Sequence, residues 1–338
     1  MTSKYLSALW TGQLNCYNTK GEIIDCEGSG QDGEYKSGFV WPQPRFKVID
    51  ELVEDQLSGL VWTKKSNFAE FPLNWQESLD FIAQMNREQY LDFNDWRLPN
   101  RRELRSLLSF QDSRPALAAG HPFSDVFLGW YWSSTTAVIS PDHAWYVHLE
   151  GCRMFFGGKD QSYLIWPVRG SGKTVLAATG QQQCYNSKGD DIECTGSGQD
   201  GDTLKGAVWP QPHFISAGDS IEDRLTGLRW AKQASLTNKP VNWSDALALI
   251  KQLNQDSSRG HQWRLPTINE LESLVDCSRA NPALAGRQFF NNIKDVYWSS
   301  TTSVFEPDWA MALYMDKGAV GVGQKYLPHF YVWPVLAE

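Results

Sequence analysis

Two helical stretches stand out in the pattern of apolar and polar positions, and each occurs twice. After Asn74, residues Trp75, Leu79 and Ile82 recur at the spacing of one helical face; after Asn242 the same face returns as Trp243, Leu247, Ile250 and Leu253. Both asparagines are good N-caps. A second helix is predicted after Pro99 and after Pro266, because Asn100 with Glu103 and Thr267 with Glu270 have the spacing in which a cap side chain and a glutamate satisfy each other's free amides. Later segments alternate with period two. In 144–150, Trp145, Val147 and Leu149 take one face and Tyr146 and His148 the other; in 310–316, Met311, Leu313 and Met315 point inward and Tyr314 outward. Each half closes on a strand, LIWPVR or YVWPVL. Two helices beside short antiparallel strands, twice over, predict a tandem of α+β domains.

The duplication is explicit in WRLPNRRELRSLL and WRLPTINELESLV, which begin at Trp96 and Trp263, 263 − 96 = 167 positions apart. That period is too long for a solenoid and suits a whole domain. The expected division is residues 1–170 and 179–338, joined by a short linker, 171–178. Each half is long enough to bury a core of its own. Six tryptophans match between copies: Trp41 with Trp209, Trp62 with Trp230, Trp75 with Trp243, Trp96 with Trp263, Trp132 with Trp298, and Trp166 with Trp333. Positions kept aromatic in both copies are most simply core.

Charge and motifs narrow the function. The net charge of −8 divides into −5 for residues 1–170 (16 basic, 21 acidic) and −3 for the rest (15 and 18), which argues against a nucleic-acid binder. GSGQDG occurs at Gly28 and Gly196, but a cysteine loop precedes it and no dinucleotide-binding strand and helix flank it. GSGKT at Gly170 lacks the first glycine of a phosphate loop, since Pro167 stands there. There is no GxSxG or HExxH. His121, His143, His148, His213, His261 and His329 do not align between copies, so no shared catalytic histidine is expected, nor an enzyme. Asp142 and Asp308, in SPD and EPD, fall short of a calcium-ligand set; no cofactor or structural metal is expected, calcium being the one candidate. Arg97, Arg101, Arg102 and Arg105 read as a solvated helix face, with an anionic polymer as the rarer alternative.

Cys16 with Cys26 and Cys184 with Cys194 share a ten-residue spacing around turn residues. A local disulfide made twice is the favoured reading, and free or metal-binding thiols the other. Disulfides imply an oxidising compartment. The expectation is therefore an extracellular, cell-surface or periplasmic protein, not membrane-spanning, its leader absent from this sequence. Cys152 and Cys277 have no counterparts and are expected as buried free thiols.

The copies agree closely up to YWSSTT and then diverge. The diverged segments hold His143, Tyr146, His148, Arg153, Phe155, Lys159 and Tyr163 in copy one, and Asp308, Trp309, Tyr314, Lys325, Tyr326 and His329 in copy two. Aromatic faces flanked by polar groups can stack on sugars or anchor a protein. These thirteen positions are the candidate ligand site.

The ordered set TGQxxCYNxKG, GQDG, LSGLVW or LTGLRW, NWxxxL, WRLPxxxEL, YWSSTT and WPV resembles the Lcl C-terminal domain family, over nearly the whole chain and twice. The resemblance implies bacterial secreted or surface-attached binding modules of C-type-lectin-like plan, with ligand recognition in the late loops. A polysaccharide or cell-surface protein is the implied partner. The rival reading is a structural or assembly subunit of a bacterial surface appendage or envelope complex.

Overall fold

The computed structural model describes residues 5–172, 175–256 and 262–336. Lys173 and Thr174 of the linker, and His261, lie outside them.

Copy one opens with a hairpin, β1 (Cys16–Tyr17) and β2 (Ile23–Ile24), then one helical turn, α1 (Asp32–Tyr35). β3 (Phe46–Ile49), β4 (Leu52–Asp55) and β5 (Leu60–Thr63) form a meander, followed by α2 (Trp75–Arg87) and α3 (Arg101–Ser106). Next come β6 (Trp130–Thr136), β7 (His143–His148) and β8 (Met154–Gly158); β9 (Val168–Arg169) then returns to pair with β5. Copy two repeats the order. Its hairpin is β10 (Cys184–Tyr185) with β11 (Asp191–Ile192), its helical turn α4 (Asp200–Thr203), and its meander β12 (Phe214–Ala217), β13 (Ser220–Asp223) and β14 (Arg229–Ala231). Then follow α5 (Trp243–Asp256), β15 (Trp263–Arg264), α6 (Ile268–Ser273), β16 (Val296–Thr302), β17 (Trp309–Tyr314), β18 (Ala319–Gln324) and β19 (Val335–Leu336). Mixed helices and antiparallel strands give the α+β class. Each copy has one helical turn, α1 or α4, beyond the two helices predicted.

The caps form as read. Asn74, Asn100 and Thr267 each close a capping box with the glutamate three residues on, and Asn242 Oδ1 accepts the Asp245 amide at 2.8 Å. Eleven of the twelve matched tryptophans are buried, Trp209 being half-buried. Both disulfides are formed, Cys16–Cys26 and Cys184–Cys194, while Cys152 and Cys277 are free and buried.

How the copies meet differs from a pair of self-sufficient beads. The two late meanders make one six-stranded sheet, β16-β17-β18-β8-β7-β6, joined where Val320 of β18 pairs with Met154 of β8. The amino-terminal hairpins are exchanged as well. Asp32 Oδ2 accepts Thr11 Oγ1 from its own copy at 2.9 Å and Thr301 Oγ1 from the other at 2.6 Å; Asp200 Oδ2 likewise accepts Thr179 and Thr135, each at 2.7 Å. Gln13 exchanges two hydrogen bonds with the Thr302 backbone, and Gln181 two with Thr136, all at 2.9 Å. Residue 21 favours glycine here, since at φ 81° a Cβ would be strained and would lie 3.0 Å from the Asp308 amide of the other copy. The division at 171–178 therefore separates sequence repeats, while the packing units cut across it. The chain's start also rests on copy two, where the Leu6 amide donates to Leu225 O at 2.8 Å.

Each hairpin is closed by a disulfide of ten-residue separation, which by loop entropy contributes about 3 kcal/mol. Urea unfolding with and without reductant should show a loss of about that size per bridge, removed in a Cys16→Ser/Cys26→Ser/Cys184→Ser/Cys194→Ser variant. An unchanged midpoint on reduction would rule this out.

Candidate functional site

The shared sheet has an inner and an outer face, and strand alternation assigns the candidates that lie within its strands to one of them. Inward lie Tyr131, Trp145, Val147 and Met154 of copy one and Tyr297, Met311, Leu313 and Val320 of copy two, all buried in one core. Outward, the register lines up one cross-strand row: Val296, Tyr314 and Ala319 from copy two, then Phe155, Tyr146 and Trp132 from copy one. A neighbouring row ends in His148 and Trp130. α2 covers part of this face, burying Trp132 and Ala144 against Trp75, Leu79 and Ile82. Trp130, Tyr146, His148, Arg153, Phe155, Tyr163 and Tyr314 remain half-buried, each with an edge to solvent.

These rings form a continuous aromatic surface. Trp130 lies 4.2 Å from Tyr146 and 4.5 Å from His148, and Tyr146 is 4.8 Å from Tyr163. Phe155 meets Tyr314 across the junction at 6.1 Å, and Tyr314 continues to Phe330 at 5.8 Å. Glycine at 157 and 321 lets the rings lie down on the strands: a Cβ at 157 would sit 2.5 Å from Tyr146, and one at 321 would sit 2.8 Å from Tyr314. Burial pushes the Tyr146 hydroxyl up to about 12, with the neighbouring Tyr163 adding to it. Burial also pulls the His148 imidazole below its usual value, and its Nδ1 lies 2.7 Å from Glu150 O. The face is thus aromatic, with the Arg153 guanidinium as its copy-one cation.

Not every candidate joins it. Lys159 and Lys325 are buried and structural. Lys159 Nζ donates to Tyr185 O at 3.0 Å and Asn186 O at 3.2 Å and sits 4.1 Å from the Trp75 ring centre. Lys325 Nζ donates to Tyr17 O and Asn18 O at 3.3 and 3.4 Å, 4.3 Å from Trp243. Burial pulls both amines down to about 7. Each lysine pins the other copy's hairpin, and a sequence shows only that the residue is basic and matched. His143 and Trp309 occupy equivalent positions on the inner-face side of their strands, at the strand ends, where His143 meets Phe156 at 5.7 Å and Asp142 at 2.8 Å. Asp308 lies beside Gly21 of the exchanged hairpin. Tyr326 is exposed, its hydroxyl donating to Gln324 at 3.1 Å, and His329 is exposed next to Phe330. Both stand in the turn after β18.

Trp130 was missed. It precedes the matched YWSSTT, and copy two has Val296 there, so the signal was alternation: Trp130 and Trp132 must share a face. The arginine reading also changes. Arg97 is not free, pairing in a bidentate way with Glu103 as Arg264 does with Glu270. Arg101, Arg102 and Arg105 are buried between α3 and α6, not solvated, because the copies pack helix to helix there. Among the described residues, no three His, Cys, Asp or Glu side chains gather as a metal site requires, and no helix is long and apolar enough to cross a membrane. The burial that holds Cys152 and Cys277 also pushes their thiols up to about 12, away from reactivity.

A two-copy α+β scaffold with one shared sheet and a diverged aromatic face defines the class. Residues 51–169 and 219–336 each match the Lcl C-terminal domain, and the chain belongs to that family. The matched spans leave out both disulfide hairpins. No curated protein and no solved structure matches the chain.

Proposed function

We propose that this protein is a non-enzymatic, extracellular ligand-binding or adhesion protein of C-type-lectin-like plan. It engages a polysaccharide through the outer face of the shared sheet. One observation carries the reading: between the copies, the inner face keeps its apolar character while four solvent-edged positions of the outer face lose their large or charged side chains. Trp130, Tyr146, Arg153 and Phe155 stand where copy two has Val296, Ala312, Ala319 and Gly321, while His148 and Tyr163 give way to Tyr314 and Phe330. A scaffold preserved under a changing, solvent-edged aromatic surface suits recognition. Rings with open edges and few rotamers stack on sugar faces at low entropic cost. The two disulfides support a location outside the cytoplasm.

The test is a polysaccharide and glycan array, with calcium and with chelator, on the intact protein and on Trp130→Ala and Tyr146→Ala. Either substitution should weaken binding about tenfold, or about 1.4 kcal/mol, with the unfolding midpoint little changed; Trp309→Ala should leave binding intact. Selective binding indifferent to both outer-face variants would overturn the site. No binding across the array would turn the face over to a cell-surface protein or to the assembly role.

A further inference from the structure

Between α3 and α6, under the segments 6–10 and 175–177, lies a cavity of about 70 Å³ lined by Arg102, Arg105, Asn269 and Glu272, with Trp10 at its wall. Its charges do not balance. α3 brings three buried guanidinium groups, Arg101, Arg102 and Arg105, and α6 answers with one carboxylate: Glu272 Oε1 lies 3.2 Å from Arg101 Nη2 and 3.9 Å from Arg102 Nε. Glu103 and Glu270 are already committed to Arg97 and Arg264. Three cations against one anion leave a buried excess of two positive charges in this cluster among the described residues. Uncompensated buried charge costs several kcal/mol per ion, and a guanidinium does not escape the cost by losing its proton.

Its donors do not balance either. Arg105 is 6% exposed; its Nη2 donates to Asn269 Oδ1 at 3.0 Å, while its Nη1 is buried with no partner. Trp10 Nε1 is likewise buried and unpartnered. Arg102 spends both terminal nitrogens on the Ala178, Ser273 and Val275 carbonyls, and its Nε has no hydrogen bond. Every unmet group at this wall is an N–H donor, so what is missing is an acceptor carrying negative charge. A water needs about 10–15 Å³ of such space, so the cavity takes roughly five to seven water-sized atoms, enough for the five heavy atoms of a tetrahedral oxyanion.

We propose that this cavity binds one free tetrahedral oxyanion of the sulfate or hydrogen-phosphate class, held by Arg105 Nη1 with Arg102 and Trp10, its two charges cancelling the buried excess. The anion then belongs to the junction between the copies. Copy two's own helix, with Ile268, Asn269 and Glu272 in place of the three arginines, could not build the site.

Equilibrium dialysis of the intact protein against labelled sulfate, and separately labelled phosphate, at ionic strength fixed with sodium chloride, tests this. One oxyanion per chain is expected, with a saturable rise in the unfolding midpoint, and the two labels show which anion is preferred. Arg105→Gln should bind at least about tenfold more weakly. Trp10→Phe removes the indole N–H while leaving an aromatic ring at the wall, so it reports on the site even where Arg105→Gln fails to fold, and should weaken binding severalfold. No stoichiometric binding of either anion overturns the proposal. So does binding left unchanged by the variants that fold.

Discussion

Produced as separate chains, residues 1–172 and 173–338 will each fail to give a cooperative unfolding transition, and on mixing they will form a one-to-one complex. Three features require this. Each half lacks the partner of its own hairpin, since Lys325 holds Tyr17 O and Lys159 holds Tyr185 O. Each half also exposes one edge of the shared sheet, β8 or β18, as an unpaired template. Self-pairing offers no rescue: two copies of α3 would set three arginines against three, and two copies of α6 would set Glu272 against itself. Removing the partner of a buried ion pair costs about 3–5 kcal/mol, a large share of the roughly 5–15 kcal/mol that holds a domain folded. Circular dichroism and light scattering on each half and on the mixture decide it; a half that folds cooperatively alone, or as a homodimer, would refute the account.

Between pH 4.5 and 6 two buried carboxyl groups will draw stability down as pH rises, by up to about 2.7 kcal/mol per pH unit, against the opposite contribution of His121 and His148, whose imidazoles burial holds below their usual value. The cause is the pair of aspartates at the exchanged hairpins. Burial, only partly offset by two threonine hydroxyls, raises Asp32 from 3.8 to about 7 and Asp200 to about 6. Glu270 pushes Asp32 further up while Arg264 opposes it, and Glu103 and Arg97 do the same at Asp200. A carboxyl whose folded pKa is raised contributes stability that is fully present below the unfolded value and is lost as pH climbs through the folded one. The buried lysines titrate above this window, so they add a constant to it. Asp32→Asn/Asp200→Asn should flatten the slope. Urea midpoints across that range measure it, and an equal slope in wild type and variant would exclude these two groups as its source.

What the chain discloses by itself is whatever depends on near neighbours. The capping boxes at Asn74, Asn100 and Thr267, the ten-residue disulfide spacing and the inward alternation of Trp145, Met311 and Leu313 are local, so they were legible. The hairpin exchange was not, because two near-identical hairpins present the same residues to two near-identical sheets, and sequence does not say which pairs with which. Lys159 and Lys325 show the consequence: their partners are backbone carbonyls more than twenty residues away, or three hundred, which carry no side-chain signature. Arg101, Arg102 and Arg105 failed for a related reason. Charge on a helix is solvated by default, and only the opposing helix, with Glu272 and a wall of carbonyls, makes it interior.

The start and the end of the described chain are both fastened to the same small sheet of copy two. Leu6 bonds to Leu225 just before β14, and Val335 of β19 pairs with Trp230 within β14. Tension drawn between residues 6 and 336 therefore falls first on those few contacts, and copy one with its aromatic face hangs outside the load path, unstrained until they have parted.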